Sequence, residues 1–248
     1  MKKLTLQHGL FVFIGLISLS SCLKDNDYAP GYDTPANAGV MYFVNNYADA
    51  PQGLLYYVDE QRIGNPYTGA PMVLDYRTFS GAQLLWAGKR KLNITNTDNE
   101  ILLDTTLNIQ AEQGYSSFIY GDKTHPLFAL TQDKVIDSLR QDQSGIRFLN
   151  FAKGVETVNL RIAGEDHDLY SERSVETANS ITKHQIFQAQ DNGLYTFIIS
   201  DAAGNELARR EYKNEYGNGL SGGYYTIMLV GEADNSDNPL YIGVVEHR

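Results

Sequence analysis

The chain has 248 residues and a formal charge of −10, from 20 Lys and Arg against 30 Asp and Glu. That balance repels phosphate backbones and disfavours nucleic acid as a partner. Its single cysteine, Cys22, excludes an internal disulfide framework and any CxxC metal or redox site. Apolar residues make up 42% of the chain, tyrosine (17) and glycine (22) are frequent, and long helical periodicity is scarce, which together predict β structure with many turns. The length suits one large domain or two of ordinary size.

In chain order, Lys2 and Lys3 precede an apolar run from Leu10 to Ile17. The run is short for a transmembrane helix, which needs ~20 apolar residues, and suits a secretory signal, predicted over residues 1–21. Leu19-Ser20-Ser21-Cys22 resembles the lipobox of bacterial lipoproteins. The resemblance implies diacylglycerol on the Cys22 thiol, cleavage just before it and acylation of the new amino terminus. Several acyl chains anchor durably, at ~0.8 kcal/mol per buried methylene. The alternative is an ordinary signal peptide with a stray cysteine beside its cleavage site. Cleavage would also remove Lys2 and Lys3, leaving the mature chain more acidic. Attachment would then rest on acyl chains and not on attraction to anionic lipid.

Lys24, Asp25, Asn26 and Asp27 follow the cysteine. This cluster resembles the surface-export signal of Bacteroidota lipoproteins, which implies the outer face of the outer membrane; the alternative is a plain solvated tether on a periplasmic protein. Residues 22–37 are predicted to be an acidic, Pro- and Gly-containing tether.

The remainder repeats. VMYFVNNYADAPQGLLYYVD from Val40 aligns with GIRFLNFAKGVETVNLRIAG from Gly145, placing Phe43 on Phe148, Asn45 on Asn150 and Leu55 on Leu160. Val158 to Ile162 alternates apolar and polar, as a half-buried strand requires. Downstream, each copy has two strand-like runs around a polar turn, at Asn96–Glu100 and Asp201–Glu206, and then GYSSFIYGD or GYYTIMLVGE. The reading is an all-β chain with two tandem immunoglobulin-like β-sandwich domains, residues 38–142 and 143–248. One larger sandwich with a duplicated motif is the alternative. Lys134 to Ser144 reads as a polar linker, with a helical turn at Val135 to Leu139.

The motifs YFVNNYADAPQGLLYYVD and RFLNFAKGVETVNLRI resemble the tandem Ig-like family called domain of unknown function 4397. The resemblance covers roughly residues 38–248 and implies an extracytoplasmic location, with no reaction attached. Lys153-Gly154 departs from the family's Pro-containing turn, which leaves the strand order of the second copy open.

Catalytic chemistry is weakly signalled. GLSGG, residues 219–223, spells G-x-S-x-G, but a nucleophile elbow needs a strand before it and a helix after it. Here a Gly/Asn-rich run precedes and a Tyr-rich strand follows, so a loop is predicted. EDHD (Glu165–Asp168) and DNSDN (Asp234–Asn238) read as a solvated turn and a polar hairpin tip. DNSDN lacks the glycine and distal glutamate of an EF-hand. Aromatic residues are a stronger lead. Tyr56, Tyr57, Tyr67, Tyr76, Phe79 and Trp86 fall in the first copy, and exposed aromatic faces stack on sugar rings. Tyr56, Tyr57 and Trp86 are the candidates for glycan or partner contact, with core packing as the competing reading. Tyr115 and Tyr195 read as tyrosine-corner residues.

The expectation is a non-enzymatic lipoprotein of the outer membrane, held through acylated Cys22 and displayed on the cell surface for binding, adhesion or envelope assembly. No cofactor or metal is predicted, and the partner is an extracellular protein or glycan. The alternative is an accessory glycan-binding protein of a nutrient-uptake system.

Overall fold

A computed structural model describes residues 35–66 and 68–247. The predicted signal peptide, Cys22, most of the tether and Tyr67 lie outside the described residues. The fold is all-β sandwich, as predicted. The first half holds β1 (Ala38–Asn45), β2 (Leu54–Val58), β3 (Gln61–Arg62), β4 (Thr78–Phe79), β5 (Gln83–Trp86), β6 (Gly88–Asn96), β7 (Ile101–Ile109), β8 (Gly114–Asp122) and β9 (His125–Gln132). The second holds β10 (Gln143–Asn150), β11 (Thr157–Ile162), β12 (Tyr170–Ser174), α1 (Ile181–His184), β13 (Gln188–Asp191), β14 (Tyr195–Asp201), β15 (Glu206–Tyr212), β16 (Tyr224–Val230) and β17 (Tyr241–His247).

Each half makes two sheets of the same order. In the first, β3-β2-β6-β7 faces a sheet in which β1 lies between β8 and the edge strands β4 and β5, with β9 outermost. In the second, β12-β11-β14-β15 faces β13-β10-β16-β17. The strand order left open by Lys153-Gly154 is therefore that of the first half. In both halves the first strand pairs parallel with the strand that follows the Gly-Tyr or Tyr-Tyr motif, β1 with β8 and β10 with β16.

The repeated asparagine has one job in both places. Asn45 and Asn150 are fully buried. Asn45 Nδ2 donates to the Leu74 carbonyl (2.9 Å), and its Oδ1 accepts from the Tyr47 amide (2.9 Å). Asn150 Nδ2 donates to the Arg173 carbonyl (3.1 Å), and its Oδ1 accepts from the Ala152 amide (3.0 Å). Each side chain thus ends the first strand and ties it to a neighbouring segment. Either Asn→Ala change is expected to cost about 2–3 kcal/mol, because it strands a buried carbonyl and a buried amide at once; the shift of a urea unfolding midpoint checks this. Gly121 and Gly231 also correspond. Both have positive φ, and a Cβ on either would fall 2.3 Å from a carbonyl oxygen across the turn.

The halves do not hang in series on a free linker. Strands β1, β8, β10 and β16 are buried on both faces almost throughout. One face of each closes its own sandwich: Met41, Phe43, Tyr115 and Ile119 in the first half, and Ile146, Phe148, Tyr225 and Ile227 in the second. The other faces meet in a third core, where Val44, Phe118, Tyr120 and Ala129 pack on Leu149, Phe151, Met228, Val230 and Val245. Phe118 stacks on Phe151 with centroids 4.8 Å apart, and the Tyr120 hydroxyl donates to the Glu176 carbonyl (2.7 Å). Four sheets therefore stack in one pile. The joining segment has a turn at Asp137–Ser138 in place of the expected helical turn, and its Ile136 amide donates to the Tyr224 hydroxyl (2.7 Å).

Candidate functional site

The strand directions give the pile two ends. β1, β6, β8, β10, β14 and β16 start at one end, where the chain enters at residues 35–38. The motif loops after β1 and β10 lie at the other. There, two clefts open among turn residues.

The larger, about 270 Å³, is lined by Tyr47, Asp49, Gln52, Asn96, Glu100 and Lys123 among others. Its walls are tied down locally. Asn96 Oδ1 accepts from the Asp98 and Glu100 amides (3.0 and 2.9 Å), and Asp49 Oδ2 accepts from the Lys123 amide (2.6 Å). Burial raises the Tyr47 phenol above its usual range, and the charges of Asp49, Asp122 and Glu100 add to that. The field in the cleft is therefore negative. It favours hydroxyl and cationic donors and rejects phosphate.

The second cleft lies across the seam. Lys153 Nζ stands 3.1 Å from Asp122 Oδ2 and 3.2 Å from Glu232 Oε1, bridging the two halves. The hydrogen bond from Thr124, reinforced by Lys153, holds the Asp122 carboxyl well below the usual range. Beside it, the Tyr76 hydroxyl donates to Asn238 Oδ1 (2.7 Å) and the Arg77 guanidinium lies 4.9 Å over the Tyr241 ring. DNSDN is thus a hairpin tip, as read, with a docking role that the sequence reading missed.

Inside the seam sits a buried polar cluster. Arg147 Nη1 is 2.6 Å from Asp133 Oδ1, with neither side chain more than 2% exposed. Arg147 Nε donates to Thr226 Oγ1 (2.8 Å), and Ser116 Oγ and Thr131 Oγ1 donate to Asp133 (2.6 and 2.8 Å). His247 Nε2 is 2.7 Å from Thr226 Oγ1, and its ring packs edge-on to Tyr42. Burial disfavours the Asp133 carboxylate, but Arg147 beside it and the two hydroxyls outweigh that and hold it below the usual range. Burial drives His247 down to about 3, so it is neutral.

The three candidate contact aromatics do not come together. Tyr56 is 2% exposed, rests 5.1 Å from the Phe43 ring, and has its hydroxyl 3.5 Å from the Val44 carbonyl. This corrects the reading of Tyr56 as a contact residue: β2 turns it inward, and core packing wins. Tyr57 takes the opposite face and is partly exposed. Trp86 is 60% exposed, at the end of edge strand β5 on a different sheet. Phe79 is partly exposed on β4. The tyrosine corners form: the Tyr115 hydroxyl accepts from the Gln110 amide (3.1 Å), and Tyr195 donates to the Asp191 carbonyl (2.9 Å).

GLSGG runs without a helix into β16, and Ser221 is an exposed loop residue. EDHD is an exposed turn. One His–Ser–carboxylate grouping escaped sequence reading. Buried Glu176 accepts from Ser180 Oγ (2.7 Å) and pairs with His184 Nδ1 (2.8 Å). The carboxylate sits between serine and histidine, so the histidine is not placed to take the serine proton. The spacing of four residues between each pair was the available signal. Among the described residues, no group of three or more His, Cys, Asp or Glu is placed to hold a metal ion. No described helix is long and apolar enough to cross a membrane.

The family described as Domain of unknown function (DUF4397) matches residues 40–161. The matched segment runs from β1 to β11 and spans both copies of the Asn motif. No curated protein matches the chain. A crystal structure of a protein from Bacteroides eggerthii DSM 20697, provisionally described as a cell adhesion protein, is similar over 87% of this chain and 98% of its own, at 10% identity and a TM-score of 0.17.

Proposed function

We propose that this chain is a lipid-anchored outer-membrane protein with a non-catalytic binding or adhesion role, displayed on the cell surface. The observation that carries the reading is the polarity of the pile. The chain enters at one end, and the family-motif loops with their two polar clefts occupy the other, as a tethered display protein requires. The lipobox-like Leu19-Ser20-Ser21-Cys22 supplies the tether. The non-catalytic part is supported by the use made of the buried ionisable groups. Arg147 pairs with Asp133, and Arg147, Asp133 and His247 each bond to a buried hydroxyl, which suits a lock between halves.

Cys22→Ser is expected to move the protein from the membrane to the soluble fraction with loss of acyl mass. Protease applied to intact cells should cleave the native protein, and should spare it when Lys24 to Asp27 are replaced by alanine. Unchanged membrane attachment of Cys22→Ser would overturn the anchor, and resistance of the native protein to shaving would overturn surface display.

A further inference from the structure

The end of the pile at which the chain enters carries exposed apolar side chains that nothing above uses. Trp86 is 60% exposed, Leu194 54% and Tyr216 75%. The strand directions place all three there. Trp86 closes β5, whose partner on β1 is Ala38, and the Ala87 amide donates to the Asn37 carbonyl (2.8 Å). Leu194 precedes β14, in the turn where Gly193 bridges Leu220. Tyr216 lies in the loop from β15 to β16. Arg90 fixes the Trp86 corner, with Nε donating to the Trp86 carbonyl (2.9 Å), Nη2 to the Ala87 carbonyl (2.8 Å) and Nη1 to Asp59 (2.9 Å).

Exposure alone does not choose between the ends, since Ile101, 64% exposed, lies at the far one. The point of entry of the chain does. Only residues 22–34 separate Cys22 from the described body, an extended reach of at most about 45 Å. The anchored body is therefore held near the bilayer, and the end that carries the tether is the end nearest the anchor. Trp86 and Tyr216 sit on opposite sandwiches, separated by sheets spaced ~10 Å apart. A flat surface meets both at once, whereas a peptide in a groove would not. Trp and Tyr are also the side chains that favour the headgroup layer.

We infer that Trp86, Leu194 and Tyr216 form a bilayer-facing surface that rests the anchored protein on lipid and turns its clefts outward. This rests on the lipid-anchor reading above. The chain's negative charge opposes anionic lipid, so the contact is apolar and weak alone. The tether makes it intramolecular, and a modest affinity then suffices.

Trp86 is the only tryptophan, so its emission reports this surface directly. The test uses the full mature chain in phosphatidylethanolamine vesicles whose acyl chains are brominated near the headgroup. The expected result is a blue-shifted emission quenched several-fold, with quenching largely lost in the double variant Leu194→Asp/Tyr216→Asp although it stays vesicle-bound. Water-like, unquenched emission from vesicle-attached native protein overturns the inference, as does emission that responds to soluble glycans and not to lipid. If the chain carries no acyl mass and does not attach, the anchor reading has failed. Excess of the same vesicles added to that soluble chain then decides this surface: quenching supports it, and no quenching overturns it.

Discussion

Replacing Arg147 with methionine is expected to destabilise the folded chain by about 3–5 kcal/mol in urea unfolding, among the largest effects of any single change. The figure follows from what stays behind. Asp133 would keep its burial and its two hydroxyl donors but lose the guanidinium 2.6 Å away. Thr226 would lose a donor, and the Phe187 ring the cation now 4.5 Å above its centroid. The double change Arg147→Met/Asp133→Leu should recover most of the loss, since a buried ion pair replaced by apolar groups of similar volume is often neutral. Recovery would assign the cost to an orphaned carboxylate. A double variant as unstable as the single one would mean that the pair itself contributes the stability.

The same cluster marks where sequence reading stopped. The sandwich class, the two Asn turns, both tyrosine corners and the loop at GLSGG were legible because each depends on local pattern. The stacking of the two halves was not. Alternation along Gly145-Ile146-Arg147-Phe148-Leu149 assigns Arg147 to solvent, and the structure buries it completely. A signal was present, however: VMYFV, SSFIYG and TIMLV are unbroken apolar or small runs. Such runs mark strands covered on both faces, which a free-standing sandwich seldom has.

Duplication made the covering face available twice. By the registers of β1 with β8, β8 with β9, and their counterparts, Tyr42 corresponds to Arg147, Ser116 to Thr226 and Asp133 to His247. Two equivalent faces meet about a local twofold, and divergence at two of these positions turned a self-facing surface into a charged pair on one side and an aromatic–imidazole contact on the other. The candidate site was legible only in part. Trp86 was singled out for its residue type, but Tyr56 could not be told from core because adjacent tyrosines on a strand give no sign of which one faces inward. Leu194 and Tyr216 acquire meaning only from the end of the pile at which they lie.

Stability is expected to fall by about 2 kcal/mol between pH 7 and pH 5, and His247→Gln should abolish most of that fall. The folded chain holds His247 at about 3, while the unfolded chain titrates near 6.5. Below pH 6.5 the unfolded state therefore binds a proton that the folded state refuses, so acid favours unfolding. The contribution is complete above about pH 6.5 and drains away down to about pH 3. The neighbours set this sign. Asp133 Oδ2, 3.6 Å from Nδ1, favours the imidazolium. Arg147 opposes it, Tyr42 and Phe187 pack the ring, and desolvation of a fully buried ring outweighs the carboxylate. Asp133 acts in a separate window: its carboxyl is depressed in the fold, so its contribution holds above about pH 4 and is lost only in stronger acid. Urea unfolding at pH 7 and pH 5 thus isolates the histidine, and a glutamine at 247 keeps a hydrogen-bonding group near Thr226 without a titration. An unchanged slope in that variant would overturn this account, and a native chain that instead gains stability from pH 7 to pH 5 would mean the imidazole is already charged in the fold. Asp133 would then be shared between two cations, and the seam would be held by a three-charge network in place of one ion pair.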